Sequence, residues 1–254
     1  MTSQSQPILV HLRELRRRVT YATISVALST LVAFAFHEQI LTVLSQPAQG
    51  FVEIPNGRPV YTDLTELIGI AAKASLLVGL FLSLPLVLYQ AIMFVAPGLT
   101  PRERRYLYTL LPVSLLAFIA GATFGHQVLF PPMVTFLLTF RNDVATPLIR
   151  IGSYTNLMIA LLFWMGIIFE MPVVTFFLAK IGVVSPEFLA RNRRFALVLA
   201  FILGAIITPT FDPINQTLVA GPIIVLYEAG IWLAKLATRG RPRTTRLDLE
   251  SKSK

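Results

Sequence analysis

Residues 67–96 read LIGIAAKASLLVGLFLSLPLVLYQAIMFVA, a run of 30 residues in which Lys73 is the only charged side chain. As an α-helix this run would be about 45 Å long, whereas the hydrocarbon core of a bilayer is about 30 Å thick. The run therefore predicts a membrane-spanning helix that tilts, kinks at Pro85 or projects beyond the bilayer. Lys73 lies near one end, where its long side chain can reach the membrane interface.

The composition of the whole chain also indicates a membrane protein. Of the 254 residues, 55% are hydrophobic and 14% are charged, whereas a soluble domain has about 25% charged residues. This deficit of charge excludes an ordinary soluble fold. The chain has no Cys, which excludes disulfides, thiol catalysis and Cys-ligated metals. We predict one all-α polytopic membrane domain at residues 1–238 and a basic, disordered tail at residues 239–254.

Five further apolar segments complete the prediction of six transmembrane helices, at about residues 19–37, 107–130, 154–180, 195–208 and 214–236. Pro131 and Pro132 are predicted to close the third span, and Pro172 is predicted to break the fourth. The last two helices are predicted to be short. Residues 195–208 would form a helix of only about 21 Å, and residues 214–236 are longer but contain Gly221 and Pro222. They are either two thin spans or a re-entrant hairpin that does not cross. Six spans are the favoured interpretation.

The distribution of cations predicts which side of the membrane each loop occupies. The formal net charge is +9, and 18 of the 22 Lys and Arg residues fall at the two termini and in the second and fourth connections. Cationic loops tend to remain in the cytoplasm. We therefore predict that both termini are cytoplasmic. The charge does not indicate a nucleic-acid partner, because no basic patch is interleaved with stacking aromatic residues.

The segment before the first span has two interpretations. Ile8, Leu12, Leu15 and Val19 recur at helical spacing, which is typical of an amphipathic helix on the membrane surface. A solvated cationic flank explains the same residues equally well. A cleaved signal peptide is less favoured, because the following apolar run exceeds the usual length of about 7–15 residues and no cleavage site follows it.

Ionisable residues within a span are costly and therefore suggest function. Glu170 lies deep in the fourth predicted span, directly before Met171 and Pro172. It is either functional, as a polar handle in a water-accessible concavity or a protonatable relay, or a hydrogen-bonded carboxyl that holds helices together. Asp212 lies in a short turn where Asp is ordinary, and Glu228 near the end of the last span fits either type of role.

The sequence gives no indication of an enzyme. The three His residues, His11, His37 and His126, do not lie at metal-ligand spacing. There is also no nucleophile elbow, phosphate-binding loop or paired-carboxylate motif. We expect no cofactor, no metal site and no catalytic residue.

The sequence resembles the TatC family, the multi-spanning component of the twin-arginine protein export system. The motifs that carry the resemblance, in chain order, are His11-Leu12-x-Glu14-Leu15-Arg16-x-Arg18, Ser45-x-Pro47, Pro85-x-x-x-Tyr89-Gln90-x-x-x-Phe94-x-x-Pro97-Gly98-Leu99-x-x-x-Glu103-Arg104, Gly121-x-x-Phe124 with Pro131, Phe169-Glu170-x-Pro172, Gly182-x-x-Ser185, Arg193-Arg194, Thr208-Pro209 with Asp212 and Gln216, and Leu226-Tyr227-Glu228. Two features depart from the pattern. His126 stands where the family usually has an aromatic residue, and the turn before Asp212 is looser than the family's form.

The resemblance implies a glove-shaped receptor, in the inner membrane of a prokaryote, for folded cargo with Arg-Arg signal peptides. It also implies single-span partners of the TatA and TatB type, homo-oligomers within the complex, contact with the lipid bilayer and transport driven by the proton-motive force. The residues that it assigns to signal-peptide binding are Glu14, Arg16, Arg18, Phe94, Pro97, Glu103 and Arg104. It assigns intramembrane or partner contacts to Glu170, Pro172 and Gln216, and loop roles to Pro47, Pro85 and Asp212.

Arginine chemistry suits these assignments. A guanidinium can bind a carboxylate through two parallel hydrogen bonds, whereas a lysine ammonium is a point charge. From the sequence alone, Glu103 is expected to be neutralised by its neighbours Arg102, Arg104 and Arg105. The resemblance instead assigns it, with Glu14, to the ligand's arginines. The alternative to the receptor function is a small-solute secondary transporter or channel, although no inverted repeat is evident.

Overall fold

The chain folds into a bundle of α-helices. The computed structural model describes residues 5–51, 59–95, 100–140, 148–208 and 212–239, in which one isolated β-bridge is the only strand-like pairing. The helices are α1 (Ser5–Ala35), α2 (His37–Ser45), α3 (Glu66–Val95), α4 (Pro101–Phe124), α5 (Phe130–Thr139), α6 (Ile151–Phe169), α7 (Met171–Ile181), α8 (Pro186–Arg191), α9 (Arg193–Ile207) and α10 (Pro213–Thr238). The all-α prediction is confirmed. The predicted basic tail lies outside the described residues except for Arg239.

Among the residues that the structure describes, five helical segments are long and apolar enough to cross a membrane: His11–Ala35, Glu66–Phe94, Arg104–Thr139, Ile151–Ile181 and Pro213–Thr238. α9 has 15 residues and is therefore about 22 Å long, as short as predicted. The prediction that the last helix is also short is wrong, because α10 has 26 residues and continues through Pro222. A proline inside a helix removes one backbone donor, and neighbouring helices can compensate for this loss.

α1 is one continuous helix of 31 residues. The residues before the first predicted span therefore do not form a separate surface helix, and they extend the span helix by several turns. The span itself ends at Ala35, and α2 begins at His37 after a single turn residue. α1 packs chiefly along α3, where a Cβ added to Gly79 would lie 2.4 Å from the Thr30 hydroxyl oxygen. Small residues permit such close approach of membrane helices.

The third helical segment continues past Pro131 and Pro132, which corrects the prediction that these prolines close it. α4 passes through a π-helical turn at Gly125–Leu129 into α5, which ends only at Thr139. A proline clashes with the carbonyl one turn earlier in a regular α-helix. The wider π turn changes that spacing directly before the prolines and allows the helix to continue. Pro131 and Pro132 then lie in the first turn of α5, directly after the π turn.

The fourth segment is interrupted as predicted. α6 ends at Phe169, Glu170 occupies a single turn position, and α7 begins at Met171 with Pro172 in its first turn. α6 forms the centre of the core, in which Met158, Leu161 and Met165 are fully buried.

Two loops pair at the end of the bundle where α3 and α6 begin. The Val60 N–H donates to the Ile149 carbonyl at 2.9 Å, and the Ile151 N–H donates to the Val60 carbonyl at 2.8 Å. The Glu66 carboxylate accepts from the backbone N–H groups of Thr62 and Gly152, both at 2.9 Å. We name this arrangement of Val60, Glu66, Arg150 and Gly152 the Glu66 clasp.

Two polar residues near the clasp have defined partners. Hydrogen bonds from the Thr65 backbone N–H and hydroxyl hold the pKa of Asp63 below its usual range. Lys73 donates to the side-chain oxygen of Asn156 at 3.1 Å. In the structure Lys73 therefore links α3 to α6. The sequence predicted only that its side chain could reach the membrane interface, and not this contact.

Candidate functional site

The ends of α1 and α3 meet through aromatic rings. The rings of His11 and Phe94 stack with their centroids 4.4 Å apart and their planes at 27°. Phe94 was predicted to belong to the peptide-binding site, and His11 opens the N-terminal motif. The stack fixes the N-terminal part of α1 against the last turn of α3, so the two motifs share one surface.

Glu14 lies about one helical turn from this stack and holds a guanidinium of its own chain. Arg18 Nε donates to Glu14 Oε1 at 3.0 Å, and Arg18 Nη2 donates to the same oxygen. The side chains of Arg18 and Glu14 are 12% and 25% exposed, so the pair is partly shielded. Arg16 lies on an exposed face of α1. The structure therefore places Glu14 and Arg18 in direct contact and Arg16 away from them.

α4 reaches the same region through Arg104. Its guanidinium donates to the Tyr108 hydroxyl at 3.2 Å and lies 3.9 Å from the sulfur of Met93, the residue before Phe94. The Tyr108 hydroxyl also donates to this sulfur, at 3.1 Å. The ends of α1, α3 and α4 therefore converge on residues 93 and 94.

Two predicted members of the site cannot be placed in this geometry. Glu103 belongs to the first turn of α4, but its side chain lies outside the described part of the structure. Pro97 also lies outside the described residues.

Glu170 forms a second candidate site at the break between α6 and α7. Its Oε2 accepts a hydrogen bond from the Ser114 hydroxyl of α4, and its Oε1 is buried with no hydrogen-bond partner among the described residues. Ser114 also lines a cavity of about 140 Å³ between α3, α4 and α7. Pro172 is buried in the first turn of α7. The arrangement leaves one carboxylate oxygen available to a donor from a ligand, partner or water.

Gln216 and Asp212 organise the start of α10. Gln216 Nε2 donates to the Phe201 carbonyl of α9 at 2.8 Å, so its amide links the last two helices. Gln216 also lines an apolar groove along α9. Asp212 caps α10 by accepting from the Asn215 backbone N–H at 2.7 Å and from its side-chain amide at 3.0 Å. This is the ordinary turn chemistry that the sequence predicted for Asp212.

The predicted loop prolines lie in regular positions. Pro47 is in the first turn of a 3₁₀ helix at Gln46–Gly50, and Pro85 is inside α3. Among the residues that the structure describes, no three His, Asp or Glu side chains are grouped so that they could hold a metal ion.

Residues 10–222 match a family model described as the Sec-independent protein translocase protein TatC. The chain belongs to the TatC family. It is 35% identical over 235 residues to TatC of Carboxydothermus hydrogenoformans, covering 92% of this chain and 95% of that protein. It is 38% identical over 235 residues to TatC of Aquifex aeolicus, covering 92% and 96%.

Solved structures agree with the family assignment. A crystal structure described as the twin arginine translocase receptor TatC superposes with a TM-score of 0.81 at 38% identity, covering 90% of this chain and 100% of that one. Membership of TatC, a family of translocase proteins, confirms the predicted family and the prediction that the chain is not an enzyme. It does not favour the transporter alternative.

The sequence did not predict several polar contacts that the structure shows. Ser114 has no local signature, because a single hydroxyl in an apolar helix is common. Arg193 and Glu228 form a two-point ion pair between α9 and α10, at 2.6 and 2.9 Å. Both residues belong to motifs that carried the TatC resemblance, and their opposite charges within those motifs could have indicated a contact between them. The Glu66 clasp had no signal, since Glu66 and Arg150 are 84 residues apart.

Proposed function

We propose that this chain is the receptor subunit of a twin-arginine translocase. The receptor would bind Arg-Arg signal peptides of folded cargo at the surface where α1, α3 and α4 converge. The observation that supports this proposal best is the guanidinium already held by Glu14, because an arginine ligand presents the same group. Glu103 supplies a second carboxylate at the start of α4. Two carboxylates in a partly shielded site can distinguish two guanidinium groups from two ammonium groups.

The rest of the proposal concerns the path after recognition. The apolar part of the signal peptide enters the membrane along the concave face of a glove-shaped, six-span domain formed by residues 1–238. Glu170, whose Oε1 has no hydrogen-bond partner among the described residues, contacts a polar group there, and Gln216 lies on the surface that meets single-span TatA- and TatB-type partners. Assembly into the complex, including other copies of this chain, then permits transport driven by the proton-motive force.

Membership of the TatC family supports the proposed membrane, and the charge distribution supports the proposed orientation. We propose the cytoplasmic membrane of a prokaryote, with both termini and the basic tail at residues 239–254 in the cytoplasm. A single Cys introduced near Asp212 tests the number of spans. Labelling of intact cells by an impermeant thiol reagent supports six spans. Labelling only after permeabilisation would contradict six spans and support the re-entrant hairpin.

The central experiment compares an Arg-Arg signal peptide with its Lys-Lys counterpart on the purified, detergent-solubilised protein. We expect tighter binding of Arg-Arg, and loss of this preference in Glu103→Gln. The matched control is Glu187→Gln, which makes the same substitution in α8, on the side of the membrane that is also predicted to be cytoplasmic. Unchanged selectivity in Glu103→Gln would contradict the role of Glu103. If binding requires a TatB-type partner, adding that partner restores the difference between the two peptides.

A second pair of measurements separates recognition from transport. We expect Glu170→Ala to retain binding of the Arg-Arg peptide and to impair export of a folded cargo in cells. Normal export by Glu170→Ala would contradict the proposed intramembrane contact.

A further inference from the structure

We propose that Arg18 is an internal competitor for the peptide-binding carboxylate, so that a signal-peptide arginine must displace it from Glu14. This inference rests on the proposed function. It assigns Arg18 a role opposite to that of a contact residue, because its guanidinium would lower the affinity of the site for ligands.

The geometry places Arg18 in the position that a ligand arginine would take. Two of its nitrogens donate to Glu14 Oε1, one of them at 3.0 Å. The pair has the i, i+4 spacing with the acidic residue first, which is the favourable order along a helix. Its side chain is only 12% exposed, so it is held against the protein and does not extend into solvent. Arg17, its neighbour, is exposed.

The occupied carboxylate lies about one helical turn from the point where the three helices converge. His11, one turn before Glu14, stacks on Phe94, and Arg104 of α4 contacts Met93 beside it. A peptide that binds this surface therefore meets a carboxylate whose Oε1 is already hydrogen-bonded. The incoming guanidinium can use that oxygen fully only when Arg18 rotates away.

Competition of this kind has a defined thermodynamic signature. An internal occupant reduces the fraction of the protein that is competent to bind, and the apparent dissociation constant rises by the inverse of that fraction. The factor is the same for every ligand that needs Glu14. Arg18 therefore weakens Arg-Arg and Lys-Lys peptides equally, and it leaves the ratio of their affinities unchanged. Because the Lys-Lys peptide already binds more weakly, the same rise in its dissociation constant leaves it largely unbound at concentrations where the Arg-Arg peptide still binds.

The size of the effect follows from the exposure of the pair. Arg18 and Glu14 are partly shielded, at 12% and 25% exposure, but the pair still contacts solvent. An i, i+4 ion pair that keeps this contact is weak, so removal of Arg18 should tighten binding by a factor of about 2 to 5. At about 1.4 kcal/mol for each tenfold change, this factor corresponds to about 0.4–1 kcal/mol.

The test is a binding titration of both peptides to the purified full chain and to Arg18→Gln. We expect the two peptides to bind the variant more tightly by the same factor. Arg17→Gln is the matched control, because it removes the same charge one residue away from an exposed position. Arg18→Lys keeps the charge but loses the planar two-donor fork, and it should give an intermediate increase. In a Glu14→Gln background, Arg18→Gln should change the affinity no more than Arg17→Gln does.

Three outcomes would overturn the proposal. Weaker binding by Arg18→Gln would mean that Arg18 contacts the peptide or positions Glu14. An equal increase in Arg17→Gln would mean that only net charge matters. A change in the ratio of Arg-Arg to Lys-Lys affinity would mean that Arg18 discriminates directly between them. Failure of the wild-type protein to prefer Arg-Arg, with or without a partner subunit, would instead contradict the proposed function itself.

Discussion

The Ser114 hydroxyl of α4 donates a hydrogen bond to Oε2 of Glu170, at the point where α6 ends and α7 begins. The other carboxylate oxygen, Oε1, is buried without a partner in the described part of the chain. Ser114 thus holds one side of the carboxylate and leaves the other side free. This asymmetry combines the two roles that the sequence left open for Glu170, because one oxygen joins two helices and the other remains available for a ligand or partner.

Ser114→Ala should destabilise the protein through Glu170. The substitution removes a donor from a partly buried carboxylate, and such a loss costs about 1–3 kcal/mol. We expect a lower midpoint of thermal unfolding in detergent and unchanged affinity for the Arg-Arg peptide. Thr123→Val is the control, since the Thr123 hydroxyl on the same helix bonds only locally, to the Ile119 carbonyl at 2.8 Å.

A double-mutant cycle makes this prediction specific. In a Glu170→Leu background, Ser114→Ala should cost much less than it does in the wild-type protein, because the two side chains act as a pair. Equal costs in the two backgrounds would show that Ser114 acts independently of Glu170.

Glu66→Ala should loosen the clasp between the two loops. Its carboxylate accepts from the N–H groups of Thr62 and Gly152 and lies 3.5 Å from the Arg150 guanidinium. Gly152 is in the first turn of α6, so the substitution also removes a cap from the central helix. We expect a lower unfolding midpoint and faster amide exchange at Gly152.

Asp63→Ala provides the matched comparison for Glu66. Asp63 lies in the same loop, and its carboxylate accepts from Thr65, two residues away. Its main partner is within its own turn, and its electrostatic interaction with Arg150 of the clasp is weaker, so its loss should affect the clasp less than the loss of Glu66 does. If Asp63→Ala lowers the unfolding midpoint as much as Glu66→Ala, the clasp does not depend on the longer connection to α6.

The elements that the sequence predicted well are those set by local properties. The long apolar run that contains Pro85 became α3, and the break at Glu170 followed from Pro172, because proline chemistry acts within one turn. The short α9 followed from its length alone. These features need no knowledge of neighbouring helices.

The features that the sequence did not predict depend on how helices are oriented against each other. Whether a helix continues past Pro131 depends on a π turn, which has no simple sequence signal. The contacts of Ser114 with Glu170 and of Lys73 with Asn156 depend on the rotation of each helix about its axis. A hydrophobic pattern without a strong polar face does not determine that rotation. A pair at i, i+4 within one helix, such as Glu14 and Arg18, can be predicted from sequence spacing. The contact of His11 with Phe94 cannot, because it depends on how α1 and α3 are oriented against each other.

The ion pair between Arg193 and Glu228 should contribute modestly to the packing of α9 on α10. Its side chains are 52% and 37% exposed, and exposed pairs are worth about 0–1 kcal/mol. We expect Arg193→Gln to lower stability by no more than about 1 kcal/mol, measured by thermal unfolding. Exchange of the two residues, Arg193→Glu with Glu228→Arg, should recover part of the loss. Exposed Arg194, whose guanidinium lies over the Phe195 ring, supplies the control Arg194→Gln. A larger loss in that control would contradict a specific role for the pair.

Gly121→Ala should separate α4 from α6. A Cβ at Gly121 would lie 2.4 Å from the Met165 carbonyl oxygen and 2.8 Å from the Phe169 Cβ. The Met165 carbonyl is backbone and cannot rotate away, so the helices must move apart. Overpacking of this kind costs about 1–3 kcal/mol and sometimes more. Gly221→Ala is the matched control, because a Cβ there would meet no atom within 4 Å, and Ala is the better helix former. We expect a clear fall in the unfolding midpoint for Gly121→Ala and an unchanged or higher midpoint for Gly221→Ala. Equal stability of the two variants would mean that α4 and α6 do not approach as closely as their glycines indicate.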